Sequence, residues 1–94
     1  MRPIHPGRIL KREMKARGLS ANRFALALRV PSGRITQIVG GKRGISAETA
    51  LRLARYFGNS AQFWMNLQSR YQLAIAEDNI GPRVLDEVKQ AASS

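Results

Sequence analysis

The sequence has no cysteine, a single histidine and only six acidic residues. The missing cysteines exclude a disulfide scaffold, a thiol nucleophile and a cysteine-ligated zinc finger. One histidine, His5, cannot build a multi-histidine metal site, so neither a metal nor another cofactor is expected. No phosphate-cradling GxxxxGK[ST] motif occurs, and no pair of acids stands at metal-ligand spacing in the basic part of the chain. An enzyme, a nuclease for example, is therefore the weakest reading, and no small-molecule substrate is expected. No unbroken apolar run approaches the roughly 18 residues of a membrane span, and no signal-type apolar stretch follows the first basic residues. The expectation is a soluble cytoplasmic chain without a membrane partner.

What the chain has in excess is positive charge. Its 94 residues hold 16 Lys and Arg against those six acids, a net charge of +10 on 10.5 kDa. The excess is not spread evenly. Residues 1–43 carry eleven basic side chains and one acid, Glu13, whereas residues 44–94 carry five of each sign. A solvated surface of mixed sign is the ordinary meaning of surplus charge, but confinement to one half points to a surface that faces a polyanion. A hydrophobic content of 44% is ordinary for a folded domain and speaks against disorder. A chain of this size buries roughly 60–70% of its unfolded surface, enough for one core.

Along the chain, apolar residues recur at helical spacing between short breaks. Pro6 and Gly7 open a first helix that turns Leu10 and Met14 to one face and ends at Gly18. Ser20 caps a second, Ala21–Leu28, with Phe24, Ala25 and Leu28 inward. Pro31 and Ser32 begin a short third helix, whose Ile35, Ile38 and Val39 share a face. The run Gly40-Gly41-Lys42-Arg43-Gly44 ends it. Ser46 caps a fourth helix, with Glu48 at its positive end and Leu51, Leu53, Ala54 and Phe57 behind. Ser60 caps the fifth and longest, which is expected to reach about Asp78. Phe63, Trp64, Leu67, Tyr71 and Ala74 form its inward or partner-facing stripe. Gly81-Pro82 reads as a break, and residues 83–91 as at most a weak last helix. No segment alternates as a strand does. The expected fold class is all-α: a compact five-helix bundle over residues 1–78, with residues 79–94 as a C-terminal tail.

The second and third helices, joined by a short turn, have the geometry that lays the second of them in a DNA major groove. Opposite Ile35, Ile38 and Val39, the third helix carries Gly33, Thr36 and Gln37, with Ser32 and Arg34 on the flanks. This face has no acid, and each side chain on it longer than a methyl can donate a hydrogen bond. Arg34 suits guanine O6 and N7, Gln37 adenine N6 and N7, and Thr36 a thymine methyl or a phosphate. Ser20, Asn22 and Arg23 at the start of the second helix, and Lys42 and Arg43 in the glycine-rich loop, suit phosphates. Arg12, Lys15 and Arg29 are further phosphate candidates whose side of the molecule the spacing leaves open.

The stretch SANRFALALRVPSGRITQIVGGKR at 20–43 resembles the helix-turn-helix of phage-repressor-like (XRE) regulators. The flanking HPGRIL at 5–10, ISAETALRLARYFG at 45–58 and FWMNLQSRYQLA at 63–74 resemble the HigA/VapI-type antitoxins of bacterial toxin–antitoxin pairs. The resemblance covers about residues 4–78. It implies a lambda-repressor-like fold and a dimer that binds operator DNA, represses its own operon and binds a HigB-like toxin that cleaves mRNA. By position, Ser32, Gly33, Arg34, Thr36 and Gln37 fall where the family meets bases, and Lys42 and Arg43 where its loop meets the backbone. Two positions depart from the family's pattern. Arg29 stands where the turn often has glycine, and a left-handed non-glycine residue costs roughly 1 kcal/mol. Gly33 leaves the centre of the reading face without a side chain, so base reading falls to Arg34 and Gln37.

Other residues have plainer readings. Trp64, Phe63 and Tyr71 read as core or interface, and His5 as a capping or packing group. Met65 and Ile75 lie off the Trp64–Leu67–Tyr71 line, and a helix apolar on two sides usually buries one against a partner. They are the candidate contacts of a two-fold homodimer. A stand-alone repressor without a toxin is the alternative, separated from an antitoxin by whether a toxin gene lies next door. A protein- or RNA-binding module that uses only the basic face is a third reading, separated by binding to a palindromic promoter.

Overall fold

The computed structural model describes residues 3–92. Five helices make it up: α1 (Pro6–Ala16), α2 (Ala21–Leu28), α3 (Ser32–Val39), α4 (Ala47–Phe57) and α5 (Ala61–Glu87). No strand occurs among the described residues. This is the all-α architecture with a helix-turn-helix that the apolar spacing predicts.

The helices start where side chains can satisfy their free amides. Ser20, Ser46 and Ser60 each turn Oγ back to accept an amide of the first turn, from Arg23 at 3.2 Å, Thr49 at 3.3 Å and Phe63 at 3.0 Å. His5 caps α1 in the same way, its Nδ1 accepting the Gly7 amide at 2.9 Å while its ring meets Tyr71 edge-on. This is the capping and packing role its position suggests. Only α3 starts without a side-chain cap, behind Pro31.

One core joins the five helices. Leu10, Phe24, Ile35, Ile38, Leu53 and Trp64 are buried essentially completely, with Met14, Ala25, Leu28, Ile45 and Ala50 around them. Trp64 donates its indole N–H to Asn59 Oδ1 at 2.9 Å, so its polar edge is satisfied where α5 begins. At the opposite side, α1 presses on the end of α3. A Cβ on Gly7 would stand 1.9 Å from the Ile38 carbonyl oxygen, so only glycine fits there. Between α2 and α3, Arg29 adopts φ 61°, ψ 45°, the left-handed conformation. Its amide donates to the Leu26 carbonyl and that of Val30 to the Ala25 carbonyl, which closes α2 as a glycine would. The turn carries the strain of a left-handed side chain, about 1 kcal/mol.

Two expectations are corrected. Leu51 does not lie behind α4 with Leu53, Ala54 and Phe57; it is 64% exposed. A helical step of about 100° per residue puts it far round from Leu53, and Thr49 and Ala50 take the inward positions instead. Nor does the fifth helix stop near Asp78 or break at Gly81-Pro82. Pro82 lies inside α5, which continues to Glu87, so there is no separate helix at 83–91 and a boundary at residue 78 falls within a helix. Proline removes the amide that the Asp78 carbonyl would accept and costs about 3 kcal/mol, and Gly81 adds about 1. Those penalties disfavour a helix locally without forbidding it. From Ile75 to Ala92 every described residue is exposed except half-buried Gly81, so this end of α5 stands clear of the bundle. It stretches the molecule to 54 × 26 × 21 Å.

Partial burial of the His5 ring disfavours its charged form and lowers its pKa from the usual 6.5. The neutral form is favoured by folding, so the cap's stability is full above the unfolded pKa and is lost as pH falls through the folded one. Chemical denaturation across pH 5 to 8 is expected to show stability falling on the acid side. In His5→Asn, which caps without titrating, that part of the slope disappears.

Candidate nucleic-acid interface

Around the turn held by Arg29, α2 and α3 pack through Phe24, Ala25, Leu28, Ile35 and Ile38, which leaves the other side of α3 in solvent. Ser32, Gly33, Thr36 and Gln37 are all exposed there. Gly33 has nothing within 4 Å of where a Cβ would be, so a ligand can approach the backbone closely. Arg34 is half-buried. Its side chain is 21% exposed, and Nη1 lies 3.7 Å from Glu48 Oε2 at the start of α4.

The hydrogen-bonding capacity of this face differs from expectation at one residue. The Thr36 hydroxyl donates to its own helix, with the Ser32 and Gly33 carbonyls at 3.2 and 3.1 Å. Its proton is spent, so Thr36 offers a methyl and an acceptor rather than a donor. Gln37 Oε1 accepts from Arg43 Nη1 at 3.4 Å, which biases the carboxamide and leaves both Nε2 hydrogens free to donate. A residue of the loop thus orients a residue of the helix.

The loop itself is tightly built. Gly41 has φ +76°, and the Lys42 amide donates back to the Gln37 carbonyl at 2.8 Å. Lys42 and Arg43 remain exposed, as do Ser20, Asn22 and Arg23 at the start of α2. Beyond the two cations, Ile45 is 3% exposed, and its amide donates to Gln68 Oε1 at 2.8 Å. Gln68, on α5, is itself 6% exposed. A Cβ on Gly44 would come within 2.9 Å of three atoms of its carboxamide, so the absence of a side chain there lets the loop seat on Gln68.

Gln68, Ile45 and Arg52 were not singled out from the sequence. Gln68 sits four residues after Trp64, at an inward register of α5, and a polar residue at an inward register is the signal that could have found it. Glu48 lies in the first turn of α4 as read. It also receives Arg52 Nε at 3.0 Å, while Arg52 Nη1 donates to the Leu28 carbonyl at 2.9 Å. From Gly18 to Asn59, Glu48 is the one acid in the sequence. Of the two interface candidates, Met65 is half-buried against the core of its own chain, and Ile75 is 36% exposed.

An exposed donor-bearing helix, the helix it packs on and a cationic loop define a helix-turn-helix domain of the DNA-binding type. A profile of the helix-turn-helix family matches residues 10–64, more than half of the chain. The chain belongs to that family, in its XRE-type, HigA-like branch. It is 54% identical over 80 residues to virulence-associated protein I of Dichelobacter nodosus, covering 84% of this chain and 74% of that one. A HigA-family addiction module antidote protein from Coxiella burnetii has the same fold at TM-score 0.93 and 44% identity, over 97% of this chain and all of its own. The Pseudomonas aeruginosa antitoxin HigA, solved with the higBA promoter, superposes at TM-score 0.93 and 47% identity, over 97% of this chain and 100% of that one.

If Gln68 seats the loop, Gln68→Leu leaves the Ile45 amide buried without a partner, at about 1–3 kcal/mol. Thermal unfolding is expected to show that loss with helicity unchanged. Amide exchange is expected to quicken at Lys42–Ile45 before it does anywhere in α1.

Proposed function

We propose that this protein is the DNA-binding antitoxin of a bacterial type II toxin–antitoxin pair, which represses its own operon and neutralises a HigB-like mRNA-cleaving toxin in the cytoplasm. The observation that carries the reading is the acid-free exposed face of α3, flanked by the loop cations, on a scaffold that matches an antitoxin solved with promoter DNA. In this reading α3 enters the major groove. Arg34 reads a guanine and Gln37, braced by Arg43, an adenine. Thr36 offers its methyl to thymine, and Ser32 and Gly33 let the backbone come close. Ser20, Asn22, Arg23, Lys42 and Arg43 hold phosphates, which set register without carrying sequence.

The operator-bound form is a two-fold homodimer, with its recognition helices about one DNA turn, roughly 34 Å, apart. Support comes from the projecting end of α5. Leu73, Ile80 and Val84 follow one another at helical spacing, all exposed, with exposed Val88 just past the helix end. A helix that crosses Gly81-Pro82 without touching its own core needs outside packing to offset the cost of those two residues. This stripe is a better interface than Met65, which its own core already half covers, with Ile75 on a different side of the helix. The toxin is the product of a gene beside this one, and co-expression of the two followed by purification on a tagged antitoxin tests that partnership.

The DNA reading is tested by salt. If the dimer neutralises about six to eight phosphates, log affinity for its own promoter falls against log salt with a slope of about −5 to −7. Lys42→Ala is expected to weaken all sequences alike and to lower the slope by about 1 for each phosphate no longer neutralised. A slope shallower than about −2 contradicts a phosphate-tracking basic half.

A further inference from the structure

A carboxylate is an unexpected group on a surface that meets phosphates, because it repels them. Glu48 is such a group: 59% of its side chain is exposed, and no other acid stands between Gly18 and Asn59. Its place in the first turn of α4 suits the helix dipole, but the neighbouring exposed first-turn position, Ala47, would suit it as well. What distinguishes position 48 is its reach. A single oxygen, Oε2, lies 3.7 Å from Arg34 Nη1 and 3.0 Å from Arg52 Nε. Arg52 is in turn fixed by its bond to the Leu28 carbonyl, the last residue of α2 before the left-handed Arg29. The carboxylate is therefore tied through Arg52 to the end of α2, and Arg34 on α3 is tied to the carboxylate.

Resting on the reading that α3 meets DNA bases, we propose that Glu48 is a positioning residue for base recognition. It holds the Arg34 guanidinium in one orientation before DNA arrives. A free arginine has several rotatable bonds and loses that freedom when it makes a two-pronged contact with guanine. Arg34 has only 21% of its side chain exposed, and one guanidinium nitrogen lies at ion-pair distance from the carboxylate. Recognition-helix residues near the N-terminus are those that meet base edges, and Arg34 is the third residue of α3. Glu48 thus gives up general attraction to DNA in exchange for discrimination at one base pair per half-site. Electrostatic repulsion of phosphates weakens specific and random binding together, whereas orientation of Arg34 strengthens only the matched one.

The test compares wild type, Glu48→Gln, Glu48→Asp, Arg34→Ala and the Glu48→Gln/Arg34→Ala double variant. Each is titrated against the promoter, its single-base-pair variants and a random duplex, with circular dichroism and thermal unfolding run in parallel. Glu48→Gln is expected to bind random DNA several-fold more tightly and to lose about five-fold of its preference at the base pair that Arg34→Ala identifies. Glu48→Asp keeps the charge at the helix start but withdraws it from Arg34, and is expected to lose the same preference. The double variant should show no further loss of preference beyond Arg34→Ala. Folded Glu48 variants that keep the full preference overturn the proposal, even with lowered thermal stability, because Glu48 is then only a brace between helices. If wild type does not distinguish promoter from random DNA, the base-reading assignment fails instead. If Arg34→Ala relaxes preference and the Glu48 variants do not, that assignment stands and the positioning role falls.

Discussion

A buried hydrogen bond between residues 23 apart in sequence, from the Ile45 amide to Gln68 Oε1, ties the glycine-rich loop after α3 to the longest helix. Both partners are in the interior, where an unpaired amide costs about 1–3 kcal/mol, so the loop has one favourable seat. The seat is placed by what lies before it. Trp64, one turn earlier on α5, is locked in the core and fixes the helix register that turns Gln68 inward. Gly44 then lets the loop approach. From there the constraint runs back through Lys42, whose amide holds the Gln37 carbonyl, to the end of α3. The start of α1 presses on the same end at Ile38, and Glu48 reaches Arg34 near the other. The α3 helix is eight residues long and cannot be stable alone. It owes its conformation to these clamps and to Ile35 and Ile38 beneath it.

The clamps leave a division of labour on the surface. Arg34 and Gln37 are held, one by a carboxylate and the other by Arg43. The side chains of Lys42, Arg23 and Asn22 enter no hydrogen bond or ion pair within the described residues. Oriented groups suit base edges, where direction decides, and groups without an intramolecular partner suit phosphates, where proximity is enough. The charge is divided as well: the net positive half, residues 1–43, contains α1, α2 and α3, and the balanced half contains α4 and α5.

Much of this was legible from sequence because it is local. Serines 20, 46 and 60 mark helix starts through bonds spanning three residues, and the wheel of α3 separates Ile35 and Ile38 from Thr36 and Gln37 with no tertiary information. What was not legible depends on distance. Glu48 and Arg34 are fourteen residues apart, and only the packing of both α3 and α4 on α2 brings the start of α4 within reach of α3. Gln68 reads as a polar interruption until its partner is known. The spent hydroxyl of Thr36 is a matter of rotamer, and spacing carries no information about rotamers. Pro82 misled for a different reason. Its penalty is real and local, and α5 crosses it at an end that lies outside the bundle, where no intramolecular contact explains the helix.

The central claim is that α3 lies in the major groove at two half-sites. Guanine N7 faces that groove, so protection from methylation by dimethyl sulfate measures the claim directly. The protein bound to its own promoter is expected to protect guanine N7 in two patches about one helical turn apart, and Arg34→Ala to lose one protected guanine in each. Unprotected guanines, with protection only at adenine N3 in the minor groove, would contradict it.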